Sequence, residues 1–102
     1  MYLVVFRSRK RVDLDTDAYA VDSARMKELA LAQPGMLGVK TFRADDGETV
    51  SLSEWADEAA ARAWGRHAEH ALMQGRGKTH YYADYTIYSC ADPQITTFKS
   101  GP

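Results

Sequence analysis

"GMLGVKTFRADDGETVSLSEW", Gly35 to Trp55, holds two alternating runs joined by Asp45-Asp46-Gly47. An Asp-Gly pair between alternating runs is a strong hairpin signal, because glycine takes the left-handed backbone that a tight reversal needs. The stretch predicts two strands paired antiparallel. Upstream, Pro34-Gly35 ends a helical stretch in which Tyr19, Met26 and Leu29 or Ala30 share one side, and "DLDTDAY" supplies several N-cap oxygens for it. Earlier still, "MYLVVFRSR" alternates, with Leu3 and Val5 on one face and Tyr2, Val4 and Phe6 on the other. Both faces are apolar, so this strand is buried on both sides.

Downstream, the alanine-rich stretch from Asp57 predicts a second helix. Asp57 and Glu58 suit the positive end of its dipole, and Gly75 and Gly77 stop it. "HYYADYTIYSC" reads as the last strand, with Tyr82, Thr86 and Tyr88 on one face and Ala83, Tyr85 and Ile87 on the other. The order strand, helix, strand, strand, helix, strand is the split βαβ pattern of an α+β, ferredoxin-like βαββαβ sandwich. Two helices then cover one sheet face. The other keeps Val4, Phe6, Phe42, Tyr82 and Tyr88, or their alternates, which is too much apolar area to leave in water. A second copy is the simplest cover, which makes a homodimer the expected state. Residues 1–91 form the expected domain, and residues 92–102 a tail without periodicity, an arm or a disordered end.

The chain has 102 residues, 13 Lys+Arg against 14 Asp+Glu, and one cysteine, Cys90. That length gives room for one core, and a balanced charge offers no general attraction to nucleic acid or an anionic membrane. No apolar run approaches the roughly 20 residues of a membrane helix, and no signal region opens the chain, so it reads as soluble and cytoplasmic. One cysteine excludes an intrachain disulfide and a thiolate zinc cluster.

Several motifs invite chemical readings that their details weaken. Asp13, Asp15 and Asp17 begin like a calcium loop, but Ala18 stands where that loop needs glycine and Ala24 where it needs glutamate. "GRGKT" lacks the earlier glycine of a phosphate loop, having Leu72 there, and it follows a helix. Ser51 and Ser53 have no nucleophile elbow around them. In "RSRKR", Arg9, Lys10 and Arg11 face solvent and nearby aspartates, whereas Arg7 shares a face with Leu3 and Val5 and is expected to point under the helices. There it needs an acidic partner or an anionic ligand.

On one continuous helix, Trp64 falls on the same side as Ala60, Ala68 and Ala71, with His67 on the flank and His70 nearer the rim. Two histidines at this spacing can share a metal, but no third ligand has diagnostic spacing, and no metal is expected. As a general base, histidine is the side chain that titrates near neutral pH unaided.

"PGMLG", "SLSEWADEAAARAW" and "HAEHALMQGRGKTHYYADY" together resemble the antibiotic biosynthesis monooxygenase family, particularly its small stand-alone members grouped as haem-degrading monooxygenases. The likeness runs from Met1 to Cys90. It implies a homodimeric α+β barrel with a pocket in each subunit between sheet and helices. Some members oxygenate phenolic or polycyclic substrates without metal, flavin or haem; others degrade haem or have no established activity. Members that degrade haem carry a helix tryptophan, an iron-binding histidine ten residues later and an asparagine in the first strand. Trp64 matches the first, including its spacing from Trp55, but Gln74 stands at the second position and Phe6 and Arg7 at the third. His67 or His70 can replace the missing ligand only from a different helix turn.

The residues therefore favour cofactor-independent oxygenation of a small aromatic or polycyclic substrate. His67 or His70 would serve as base, Trp64 with Tyr82 and Tyr85 as pocket wall, and Arg7 as holder of a phenolate. The competing readings are a non-enzymatic dimer that binds a hydrophobic ligand, and a haem enzyme with altered ligation.

Overall fold

A computed structural model describes residues 1–102, apart from the side chains of Ala68 and Glu69. The hairpin forms as the sequence predicts: β2 (Met36–Arg43) pairs antiparallel with β3 (Thr49–Trp55). In the turn, the Ala44 N–H donates to Glu48 O at 2.8 Å, the Gly47 N–H donates to Ala44 O at 3.0 Å, and Gly47 has φ 89°. This is a three-residue loop closed by a left-handed residue. Strand β1 (Tyr2–Lys10) lies between β3 and β4 (Tyr82–Ala91), giving an antiparallel sheet in the order β2-β3-β1-β4. That is the ferredoxin-like topology expected from the order of elements.

Helix α1 spans Thr16–Leu31, and Asp15 caps it by accepting the Ala18 N–H at 3.0 Å. Asp13 instead pairs with Arg11 at 2.8 Å, so two of the three aspartates of the calcium-like run have structural partners. After α1 the chain reverses at Gly35, whose φ of 83° suits glycine alone. A Cβ built on Gly35 would stand 2.6 Å from the Ala60 Cβ, so this residue also sets how closely the next helix approaches.

That next helix is not one helix. Helix α2 (Glu58–Gly65), capped by Asp57 on the Ala60 N–H at 2.8 Å, stops at Arg66, and α3 (Ala68–Arg76) starts afresh. A π-helical turn, Gly77–Tyr81, then leads into β4. Gly65 is the sequence signal: glycine within an alanine-rich run costs about 1 kcal/mol of helix propensity relative to alanine. The π-turn is tied to β1 by the Arg11 N–H, which donates to Tyr81 O at 2.9 Å. It is tied to α1 by Asp22, which accepts from the Tyr81 hydroxyl at 2.6 Å and from Arg76 at 2.9 Å.

Register and ring contacts fix the two faces of the sheet. Phe6 touches Tyr82 and Tyr85, and Tyr82 touches Tyr19 of α1, so the helices cover the face that carries Tyr2, Val4, Phe6, Ser8 and Lys10. Across β1 on that face stand Ser51, Ser53 and Trp55. Trp55 is 1 % exposed at the corner between β3 and α2, and its indole N–H donates to Ser53 Oγ at 3.1 Å. Ser51 shares a hydrogen bond with Thr41 at 2.9 Å.

The open face carries Leu3, Val5, Arg7, Val50, Leu52, Phe42, Tyr88 and Cys90. Val4, Phe6 and Tyr82, expected there as one of two alternates, lie under the helices instead. Tyr82 also changes sides relative to Tyr88. A register shift between Arg9 and Lys10 sets Tyr82 opposite Lys10 and Asp84 opposite Arg9, leaving Ala83 as an extra residue. Below that bulge Tyr82 joins Tyr85 and Ile87 on the helix-covered face. Residues after Ala91 take up no helix or strand.

Gly77 tests this packing. A Cβ there would meet the Tyr82 ring at 2.7 Å, whereas one at Gly75 meets nothing within 4 Å. Gly77→Ala is therefore expected to lower unfolding stability by about 1–3 kcal/mol through overpacking. Gly75→Ala in α3 should leave stability equal or raise it by up to about 1 kcal/mol. Urea denaturation of both variants checks the pair; equal effects would contradict the packing at Tyr82.

Candidate functional site

The break between α2 and α3 folds Trp64, His67 and His70 onto one another. Where α2 ends, the Trp64 carbonyl accepts the His67 N–H at 3.0 Å, and the His67 carbonyl accepts the Ala71 N–H at 2.9 Å as α3 begins. His70 Nδ1 lies 3.0 Å from the same Trp64 oxygen. Its ring stacks on the Trp64 indole with centroids 4.4 Å apart and planes 10° apart. The His67 ring lies 5.4 Å from Trp64, tilted by 41°.

The continuous helix predicted from sequence sets His70 at the rim and His67 on the flank of Trp64. The broken helix makes His70 the closer partner.

This contact selects a tautomer. A carbonyl oxygen only accepts, so Nδ1 of His70 carries the proton and donates it. In the neutral ring Nε2 then has a free lone pair, which is the form a general base needs. Burial disfavours the charged ring and lowers the His70 pKa below its ordinary 6.5; the Trp64 carbonyl opposes the shift, and His67 adds to it. His70 is thus a half-buried imidazole, neutral at neutral pH, backed by an indole and oriented by a main-chain oxygen.

A second group lies on the helix-covered face of the sheet. Phe6, Tyr82, Tyr85 and Tyr19 form a chain of ring contacts, with centroids 5.5 Å apart for Phe6 and Tyr82 and 5.9 Å for Tyr82 and Tyr85. Burial and the neighbouring Tyr19 raise the Tyr82 pKa, so its phenol stays protonated. The structure therefore brings Trp64, His67 and His70 together, and separately brings Tyr82 and Tyr85 together.

Arg7 joins neither group. It shares a face with Leu3 and Val5 as expected, but that is the open face, not the side under the helices. Its guanidinium donates twice to Glu48, at 3.0 and 3.1 Å, and to the Tyr88 hydroxyl at 3.2 Å. The acidic partner that sequence reasoning demanded is Glu48, from the hairpin.

Two clefts open on the flank between α1 and the π-turn and meet at His80 and Tyr81. The larger, about 550 Å³, is bordered by Val21, Asp22 and Arg76. Neither borders on the Trp64 group. Among the described residues, no three His, Cys, Asp or Glu side chains converge as a metal site, and no helix is long and apolar enough to cross a membrane.

Comparison with known proteins identifies the fold and the family. The family model described as antibiotic biosynthesis monooxygenase matches residues 1–76. The uncharacterised protein YqjZ of Bacillus subtilis (strain 168) is 36% identical over 86 residues, which is 84% of this chain and 74% of that protein. Among solved structures, Rv0793 from Mycobacterium tuberculosis superposes with a TM-score of 0.79 at 15% identity, over 94% of this chain and 98% of the other. SnoaB, a cofactor-independent oxygenase from Streptomyces nogalater, superposes with a TM-score of 0.74 at 16% identity, over 92% and 94% of the two chains. The structural likenesses establish the shared fold, and the family match with its 36% identical relative establishes descent: the chain belongs to the antibiotic biosynthesis monooxygenase family.

Proposed function

We propose that this protein is a cofactor-independent monooxygenase of a small, electron-rich aromatic or polycyclic substrate bound between the helices and the sheet, with His70 as the proton acceptor. The observation that carries the reading is the His70 ring, stacked on Trp64 with Nδ1 on the Trp64 carbonyl and Nε2 left as a base. The cofactor-independent oxygenase among the structural neighbours supports it by analogy.

In this reading His70 Nε2 takes an acidic C–H or phenolic proton, and the electron pair left on the substrate reduces molecular oxygen. One ring C–H of the phenol becomes a carbonyl: the phenolic hydrogen and that carbon's hydrogen leave with one oxygen atom as water, and the other oxygen atom is retained in the quinone. Trp64, stacked on His70, screens the base from bulk water on one side, which shelters the carbanion formed there. Residues 1–91 carry this chemistry, and residues 92–102 form an arm outside it.

A haem reading finds no support in the residues. Gln74, at the position of the iron-binding histidine, offers no imidazole and is exposed, and Arg7, in the first strand, is committed to Glu48 on the opposite face.

His70→Ala is expected to lower oxygen consumption with an accepted phenol by about 10²-fold, in keeping with loss of a general base. His67→Ala should keep most of the rate. An oxygen electrode reads both, and an unaltered His70→Ala rate would end the assignment. The pH profile carries the sign of the shift: because the pKa of His70 is lowered, the base stays neutral at pH 6.5 and kcat falls only as pH drops through that lower value. A midpoint above 6.5 would contradict it.

The same reading makes the protein a homodimer through the open face, where Phe42 is 46 % and Tyr88 50 % exposed. Light scattering over a dilution series should give the mass of two chains. A folded monomer throughout would contradict the barrel.

A further inference from the structure

We propose that Lys10, set beside Thr49, Tyr19 and the Phe6–Tyr82–Tyr85 ring group, is an anion-recognition residue that selects aromatic ligands bearing a carboxylate or phenolate oxygen. The inference deepens the proposed function by naming the substrate class, and it rests on the helix-covered face being the ligand-binding face.

The basic run that closes β1 is divided by partner. Arg7 pairs with Glu48, Arg9 with Asp46 and Arg11 with Asp13. Lys10 has no carboxylate partner among the described residues, although its side chain is half-buried while Arg7 and Arg11 are exposed. Its Nζ donates to Thr49 Oγ1 at 3.0 Å and stands 5.1 Å from the centre of the Tyr19 ring. An ammonium carries three N–H donors, and the threonine hydroxyl takes one. A cation beside a hydroxyl and a ring face, with two donors still to place, can take an anion as its next partner.

The surroundings define which anion. The Tyr82 phenol stays protonated and supplies no charge. By register, Arg43, Thr49, Ser8 and Tyr85 lie in one row across the four strands on this face, and Thr49 has Arg43 beside it in the row and Lys10 on its hydroxyl, two cations with no carboxylate partner among the described residues. Ser8, at the centre of the row, is 2 % exposed. In this proposal a flat apolar body packs against the ring group beside Lys10, and the ammonium meets an oxygen on its rim. An aromatic acid or an acidic phenol meets both demands. Arg7, which sequence reasoning assigned this role, cannot fill it from the other face of the sheet.

The test compares naphthoate with its neutral isostere naphthamide by equilibrium dialysis, without any need for turnover. The native protein should bind naphthoate about tenfold more tightly, as expected for one charge-assisted hydrogen bond. Lys10→Gln keeps a hydrogen-bonding head beside Thr49 and removes the charge, so the preference should fall below about twofold while naphthamide binding stays unchanged. Lys10→Arg should keep the preference. Lys40→Met removes the same charge from the open face, where Lys40 lies 5.6 Å from the Phe42 ring, and should also keep it.

Absence of preference in the native protein, failure to bind either compound, or survival of the preference in Lys10→Gln overturns the proposal. A protein that prefers naphthoate through Lys10 but consumes no oxygen with any phenol retains this site and loses the oxygenase reading.

Discussion

The side-chain parity of β1 governs the rest of this structure. As the strand between β3 and β4, it fixes by alternation which residues meet the helices and which remain on the open face. Phe6, Ser8 and Lys10 go inward; Leu3, Val5 and Arg7 go outward. A slip of one residue would exchange every member of the two sets. It would set Arg7 under α1 and carry Lys10 to the open face. The chemistry available to each face therefore follows from the register of one strand.

The fold was largely legible because its strongest signals are local. The Asp45-Asp46-Gly47 turn, the Asp15 and Asp57 caps and the Pro34-Gly35 stop each act over a few residues, and each appears where the sequence puts it. Alternation sorted the residues of β1 correctly into two sets. It could not say which set the helices cover, because both sets are apolar and the choice depends on how α1 crosses back over the sheet. Arg7 was misplaced for that reason alone. Tyr82 was misplaced for another: the bulge opposite Arg9 and Lys10 breaks the period of two, and nothing in "HYYADY" marks it beforehand.

The candidate site was legible as a set of residues and not as an arrangement. Trp64, His67 and His70 were identified from a helix, yet their geometry comes from the helix being broken at Gly65, which the uniform alanine pattern concealed. A glycine between Trp64 and Arg66 was the available clue. Sequence alone groups Lys10 with solvent-facing charges because its neighbours are arginines with acidic partners; only the register separates it from them.

The account of activity reduces to the state of one imidazole. A main-chain oxygen at the end of α2 holds Nδ1 of His70, and the indole beneath it keeps the ring in place, which leaves the remaining nitrogen as the proposed base. Long-range nitrogen–proton correlation NMR at neutral pH, on protein labelled with nitrogen-15 at histidine, reads that state directly. The account predicts a neutral His70 ring protonated at Nδ1, with the shift of an unprotonated nitrogen at Nε2. A ring protonated at Nε2 alone, or at both nitrogens, would contradict it.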